Sequence, residues 1–329
     1  MERLIAAFPD QLRQAAALAE AATLRPQFEG KIRQVLTAGM GGSGIGAEFT
    51  SALLSSQLKV PMLTAKDYTL PAWIGPETLV IGSSYSGNTE ETLAGLSQAR
   101  QAGCEIAAVS SGGEVLADAQ DKGWPVFEVP GGDPPRTCLG YNLVAQWALL
   151  HAYGLVEDTP ATTIRKMADM LEHKGKAIRE EARAMAEALQ GSIPVFYGNC
   201  SWEPVLKRWC QQVNENTKGL AHYAVFPELN HNEMVGWEFK QRDHAVVLFR
   251  SNLDSQRTTS RIEISRDLLK PQSRTLLEFE LQGKDYDEQL FFALYFGDWL
   301  SYEWAMLKGV DPVAIRAIDL LKSELAKID

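Results

Sequence analysis

Two short stretches carry residue types suited to holding an anion. Gly39-x-Gly41-x-x-Gly44 follows a β-like run and opens a segment of helical composition. That spacing matches the dinucleotide fingerprint, in which glycines let the backbone approach a pyrophosphate at a helix N-terminus. The fingerprint also needs an acidic residue about twenty positions on, and Asp67 is the nearest candidate and comes late. The same glycines would equally admit a smaller phosphate, with Ser43 adding a hydroxyl, or form a tight structural turn. The second stretch, Ser84-Tyr85-Ser86-Gly87-Asn88-Thr89, closes another apolar run and precedes Glu90 and Glu91. Its hydroxyls converge on the free N–H groups of a helix start, which is anion-binding geometry without Lys or Arg. Ser and Thr at a helix start are also ordinary caps. The sequence has no GxxxxGK[ST] nucleotide loop. Two hydroxyl-bearing glycine loops on successive strands favour one pocket for a phosphomonoester over either ordinary reading.

The elements that must position these loops alternate strand with helix. The opening thirty residues read as a helix, followed by strand candidates at 32–37, 58–64, 78–82, 105–109 and 125–129. Residues 159–189 are charged and Ala-rich, the pattern of one or two connecting helices. Strand candidates then resume at 193–197, 221–226, 245–249 and 275–281, with helices expected over 202–218, 285–308 and 312–327. Such alternation predicts an α/β fold with parallel sheets flanked by helices. The expected division is 1–155 for an N-terminal domain with its leading helix, 156–190 for connecting helices and 191–329 for a C-terminal domain.

At 329 residues the chain is long enough for two domains. Its 45% hydrophobic and 22% charged residues are those of a globular protein. A net charge of −10 argues against a nucleic-acid surface, whose footprint is a basic face. Cys104, Cys138, Cys200 and Cys210 show no CxxC or zinc-type ladder, so reduced thiols in a cytoplasm are expected. No signal peptide is visible in residues 1–10. Residues 137–156 lack Asp, Glu, Lys and Arg, but Asn142, Gln146 and His151 interrupt them, so a buried helix is expected rather than a membrane span.

The runs GMGGSGIGAE at 39–48 and SSYSGNTEET at 83–92 resemble the sugar isomerase (SIS) domain. Pro134-Pro135-Arg136, Asn214-Glu215-Asn216, Glu228-Leu229-Asn230-His231-Asn232-Glu233 and Leu320-Leu321-Lys322 resemble the bifunctional phosphoglucose/phosphomannose isomerases, in order and over nearly the whole chain. The resemblance implies two SIS-type domains and a sugar 6-phosphate substrate. It implies a phosphate site of Ser43, Ser84, Ser86 and Thr89, with the Gly41 and Gly42 backbone close by. Glu215 would be the base that shuttles the proton between C1 and C2, and Arg136 would sit against the developing enediolate. His231 and Lys322 would assist ring opening, the histidine coming from the partner subunit of a homodimer. Such an isomerase needs no cofactor and no metal, because one carboxylate can take the proton and return it to the neighbouring carbon.

Each of these residues also has an ordinary reading. Glu215 shares a helical face with Arg208, Gln211 and Gln212, the pattern of an exposed polar stripe. His231 lies in an Asn-rich loop where a solvated imidazole is common, although histidine suits proton transfer near neutral pH. Arg136 has Asp133 as a possible ion-pair partner, and Lys322 sits with Glu324 and Lys327 near the end of an amphipathic helix. His222, Glu228, His231 and Glu233 fit no zinc spacing, so no metal is expected. Phe291, Phe292, Tyr295, Trp299, Tyr302 and Trp304 recur at helical spacing and predict core or subunit-interface packing. The contrasting functional reading is a phosphosugar-sensing module, which would need the loops but not Glu215, Arg136, His231 or Lys322. A glucosamine-6-phosphate-type isomerase or synthase half and a nicotinamide dehydrogenase are further alternatives. The two Asn-rich motifs speak against the first and the hydroxyl-rich loop against the second.

Overall fold

The computed structural model describes residues 1–26, 28 and 30–328. By contacts the chain divides into two units, Ala6–His173 and Met1–Ile5 with Lys174–Asp329. The expected connecting region is a single helix, α7 (Pro160–Leu189), preceded in the chain by α1 (Glu2–Ala6), α2 (Phe8–Ala21) and the elements below. The division falls inside α7, so its N-terminal part belongs to the first unit and its C-terminal part to the second. The expected leading helix is thus two, α1 and α2, with Pro9 in the first turn of α2 where a missing N–H costs nothing.

The first unit contains β1 (Gln34–Ala38), α3 (Gly41–Leu53), β2 (Met62–Ala65), β3 (Thr78–Ser84), α4 (Glu90–Gln101), β4 (Glu105–Ser110), α5 (Gly113–Lys122), β5 (Val126–Glu128) and α6 (Leu139–Ala152). Its sheet has the order β2-β1-β3-β4-β5 and all four pairings are parallel, with Gln34 opposite Thr78 and Leu79 opposite Glu105. All seven residues of β3 are buried, as expected of a strand covered on both faces. On one face Leu36, Val80, Ile106 and Ala108 pack with Leu96 and Ala99 of α4 and Val115 and Ala119 of α5. Thr37 and Ser83 alternate with these and meet α6. The uncharged segment at 137–156 forms this buried helix, as expected, and among the described residues no helix is long and apolar enough to cross a membrane. Its two amides have internal partners. Gln146 Nε2 donates to Asn142 Oδ1 at 2.6 Å and Asn142 Nδ2 donates to Ser83 Oγ at 2.6 Å. Thr37 Oγ1 donates to Gln146 Oε1 at 2.9 Å.

The second unit contains β6 (Ile193–Asn199), α8 (Glu203–Gln212), β7 (His222–Phe226), β8 (Gln241–Arg250), α9 (Gln256–Leu269), β9 (Ser273–Glu280), α10 (Tyr286–Lys308) and α11 (Arg316–Leu325). Its parallel sheet has the order β7-β6-β8-β9. Trp209 of α8 fills one face, with Phe196, Phe249, Phe279 and Phe296 at centroid distances of 5.2, 4.7, 4.9 and 5.5 Å. Every residue of α10 from Gln289 to Ala305 is buried, so the aromatic run is core. On the other face Val195, Tyr197, Val246 and Leu248 pack with Leu229, Trp237 and the α9 residues Ile262 and Leu269.

Two further helix expectations are corrected. The segment 202–218 is not one α-helix: α8 stops at Gln212, a π-helical turn covers Val213–Thr217, and Lys218 is left-handed at φ 53°. The terminal helix starts at Arg316 instead of residue 312, because Asp311 Oδ1 accepts the Val313 N–H at 2.8 Å and holds that stretch as a turn.

Candidate active site

In the first unit the strand order reverses at β1, so the carboxyl ends of β1 and β3 form the crevice where open α/β sheets bind ligands. Both anion-type loops leave from there. Helix α3 begins at Gly41, within the motif itself, so the glycines form its first turn and the N–H groups of Gly41 and Gly42 lie at its open end. Ser43 is buried within that turn. In the second loop Ser84 Oγ and Thr89 Oγ1 are hydrogen-bonded at 2.8 Å, and Ser84 Oγ accepts the Gly87 N–H at 3.1 Å. Thr89 is the N-cap of α4, yet its side chain makes no cap hydrogen bond, so the ordinary capping role does not account for it. Ser86 is exposed, its Oγ accepting the Asn88 N–H at 3.3 Å. Gly87 has φ +75°, and a Cβ there would lie 1.8 Å from the Gly112 carbonyl oxygen, so no other residue fits this turn.

Arg136 lies beside these loops. Its 3-10 turn, Pro135–Thr137, packs against α3 so closely that a Cβ on Gly42 would sit 2.8 Å from the Pro135 carbonyl oxygen. The arginine is 5% exposed. The approach is fixed from the other side by Tyr85, whose hydroxyl accepts the Asp133 N–H at 3.2 Å. Burial, and then a hydrogen bond with Cys138, pushes the Tyr85 phenol above its ordinary range, so it stays neutral. The first unit therefore brings Gly41, Gly42, Ser43, Ser84, Ser86, Thr89 and Arg136 to one end of its sheet.

In the second unit Glu215 occupies the middle of the π-helical turn. Single π turns recur at functional sites because the widened backbone re-aims a side chain. Thr217 Oγ1 donates to the Val213 carbonyl at 2.5 Å, Asn214 Nδ2 to the Gly219 carbonyl at 2.8 Å, and Lys218 Nζ to the Glu215 carbonyl. The exposed polar stripe expected of this stretch is overturned, because Arg208 and Gln212 are 2% and 3% exposed. Asn214, Glu215 and Lys218 line one side of a cleft whose other side is Val310, Asp311 and residues 314–318. Lys322 follows Ile318 by one helical turn on the same face of α11. Glu215 and the first turn of the helix that carries Lys322 thus line one cleft.

His231 ends the 3-10 turn Glu228–His231 and is exposed. Both flanking asparagines are anchored. Asn230 Nδ2 donates to Ser265 Oγ at 3.0 Å, and Asn232 Nδ2 donates to Glu228 Oε1 at 3.0 Å. Leu229 pins this turn to the α9 face of the sheet, whereas the turn of Glu215 adjoins α8 and α10 on the Trp209 face. The elements carrying Glu215 and His231 are on opposite faces of their own sheet. Among the described residues no group of three or more His, Cys, Asp or Glu side chains is placed to hold a metal ion. His222 and Glu233 make a hydrogen bond of 3.0 Å instead, and Tyr197 donates to the same carboxylate.

A family model described as the bacterial phospho-glucose isomerase C-terminal SIS domain matches residues 178–325. A bifunctional phosphoglucose/phosphomannose isomerase of Caldicellulosiruptor bescii is 33% identical over 330 residues, covering 97% of this chain and 97% of that one. The chain belongs to the bifunctional phosphoglucose/phosphomannose isomerase family. A second relative of that name, from Aquifex aeolicus, is 31% identical and covers 89% of this chain and 90% of its own. The fold extends to a hypothetical protein of Thermus thermophilus, with a TM-score of 0.77 at 15% identity over 98% of this chain and 89% of that one. In this member of the phosphoglucose/phosphomannose isomerase family Lys66 stands beside the first glycine loop, a position the sequence motifs do not single out. It follows the end of β2 and is ion-paired with Glu48, and its Cε would lie 3.1 Å from a Cβ on Gly44. The sequence signal for it is its place after the second strand, one residue before Asp67.

Proposed function

We propose that this protein interconverts glucose 6-phosphate with fructose 6-phosphate, and mannose 6-phosphate with fructose 6-phosphate, through a cis-enediolate. The observation that carries this reading is the near-complete coverage by relatives of that name, together with two hydroxyl-bearing loops at one strand switch point. Ser43, Ser84, Ser86, Thr89 and the N–H groups of Gly41 and Gly42 hold the phosphate, a task that helix N-termini perform in an acidic protein. Gripping the remote phosphate supplies binding energy that orients the reacting end.

Glu215 takes the proton from C2 of the open-chain aldose, and the C–H electrons become the C1–C2 double bond as the aldehyde oxygen gains charge. Arg136 stabilises that oxygen. The proton returns to C1 while the proton on O2 moves to O1, leaving the ketose. A positioned base typically contributes about 10²–10⁴-fold. His231 and Lys322 assist ring opening. The separation of Glu215 and His231 across their own sheet supports a homodimer in which the histidine comes from the partner subunit. Four free cysteines support a cytoplasmic location.

The test is incubation of the protein with fructose 6-phosphate in D₂O, with chelator, followed by NMR. Glucose 6-phosphate and mannose 6-phosphate carrying deuterium at C2 are the expected products. Glucose 6-phosphate alone would remove the mannose activity. Binding without any product would overturn the catalytic reading in favour of a sensing module.

A further inference from the structure

Beneath Glu215 lies a buried ion pair that this mechanism does not use. Asp298 of α10 and Arg208 of α8 are 5% and 2% exposed, within the aromatic core of the second unit. The Asp298 carboxylate accepts from Arg208 Nε at 3.2 Å, Arg208 Nη2 at 3.0 Å and Gln212 Nε2 at 2.6 Å. A buried pair of this kind is weak evidence for stability, because well-packed apolar residues of similar volume often serve as well or better. What distinguishes this pair is where its third donor sits. Gln212 is the last residue of α8, and the π-helical turn begins at the next position.

One helical turn along α10, Ser301 Oγ donates to the Asp298 carbonyl at 2.9 Å and accepts from Asn216 Nδ2 at 2.9 Å. Gln212 and Asn216 bracket Glu215 in sequence, and both are tied to the same turn of α10. Glu215, between them, lines the cleft with Asn214 and Lys218. The backbone on either side of the base is therefore clamped from below. We propose that Asp298, held by Arg208 and acting through Gln212 and Ser301, is a positioning residue that fixes the Glu215 carboxylate against the substrate carbons. The inference rests on Glu215 being the base. Misplacing a reacting group by about 1 Å can cost about 10²-fold in rate.

The decisive variant is the pair exchange Arg208→Met with Asp298→Leu, which removes both charges together. The expected result is a modestly lowered melting temperature, since the buried Gln212 amide loses its acceptor, a kcat for fructose 6-phosphate lowered about 10–100-fold and a KM changed less than about twofold. The primary isotope effect with glucose 6-phosphate deuterated at C2 should rise, since proton transfer becomes slower relative to the other steps. Ser301→Ala removes only the Asn216 tie and should shift kcat and the isotope effect in the same direction by less. It decides the matter alone if the pair exchange does not fold. A folded variant with unchanged kcat and isotope effect would overturn the proposal, as would losses in kcat that merely follow lost thermal stability. Glu215→Gln separates the two readings. Turnover surviving within about tenfold removes the base assignment itself. Abolished turnover beside a fully active pair exchange removes only the positioning role.

Discussion

Asn142 donates to Ser83 at 2.6 Å and accepts from Gln146 at 2.6 Å, so one amide of a buried helix reaches the strand that ends in the phosphate-type loop. Thr37, at the end of β1, closes the chain through Gln146. Both glycine-bearing loops are thereby referred to a single helix. Asn142→Leu leaves Ser83 and Gln146 without these partners in a buried site. The expected cost is about 1–3 kcal/mol of stability. A raised KM for fructose 6-phosphate at nearly unchanged kcat should accompany it if the two glycine loops hold the phosphate, because they loosen while the turn of Glu215 is untouched. Denaturant unfolding and steady-state kinetics check both parts. A stability loss without a KM change would confine Asn142 to packing.

Gly42 gives a second prediction. A Cβ there meets the Pro135 carbonyl oxygen at 2.8 Å, and backbone cannot yield as a side-chain tip can. Gly42→Ala must push the Pro135–Thr137 turn, and with it Arg136, away from α3. A kcat loss of about 10–100-fold is expected if Arg136 faces the developing enediolate. Gly75→Ala is the control, since a Cβ there meets nothing within 4 Å. An unaltered kcat in a folded Gly42→Ala protein would detach Arg136 from the reaction.

The contrast between these loops and the turn of Glu215 shows what a single sequence makes legible. Gly39–Gly44 and Ser84–Thr89 announce themselves because each clusters glycines or hydroxyls where a strand of a parallel sheet ends at a helix start. Asn142 and Gln146 were visible as polar interruptions, and their partners follow from the strands they face. Glu215 was hidden. Arg208 and Gln212 read as a solvated stripe because their partner, Asp298, lies on a helix far along the chain. Helical periodicity also has no mark for a π turn, which inserts its extra residue without changing composition. The start of α11 was misplaced for a similar local reason, Asp311 capping the Val313 N–H in place of another helical turn.

The pH dependence of one anchor has a definite sign. Glu2 of α1 accepts from Tyr302 Oη at 2.9 Å and pairs with Arg179 Nη1 at 2.6 Å. The Tyr302 hydrogen bond first, and then Arg179, hold its carboxyl below the usual glutamate range. Its contribution to stability is therefore complete above the unfolded-state pKa and is lost as pH falls through the lowered one. Comparing the urea midpoints of the wild type and Glu2→Gln across pH tests this. A small difference is expected at neutral pH, since the pair is exposed, and it should vanish on acidification. A difference that grows as pH falls would reverse the assignment.

The opposite-face placement of the Glu215 and His231 elements leads to the most discriminating prediction. If each site takes its base from one subunit and its histidine from the other, Glu215→Gln and His231→Asn homodimers both lack complete sites. A mixed dimer then has one site with both substitutions and one with neither. Unfolding the two variants together and refolding them should restore about a quarter of wild-type activity, because random pairing in a two-fold dimer makes half the dimers mixed. Refolding each variant alone should restore none. Activity that stays at the level of the separate variants, in a mixture shown by mass to contain mixed dimers, would place His231 in the site of its own chain. The turn 228–231 would then have to reach around the edge strand β7, whose outer side bears no further strand among the described residues.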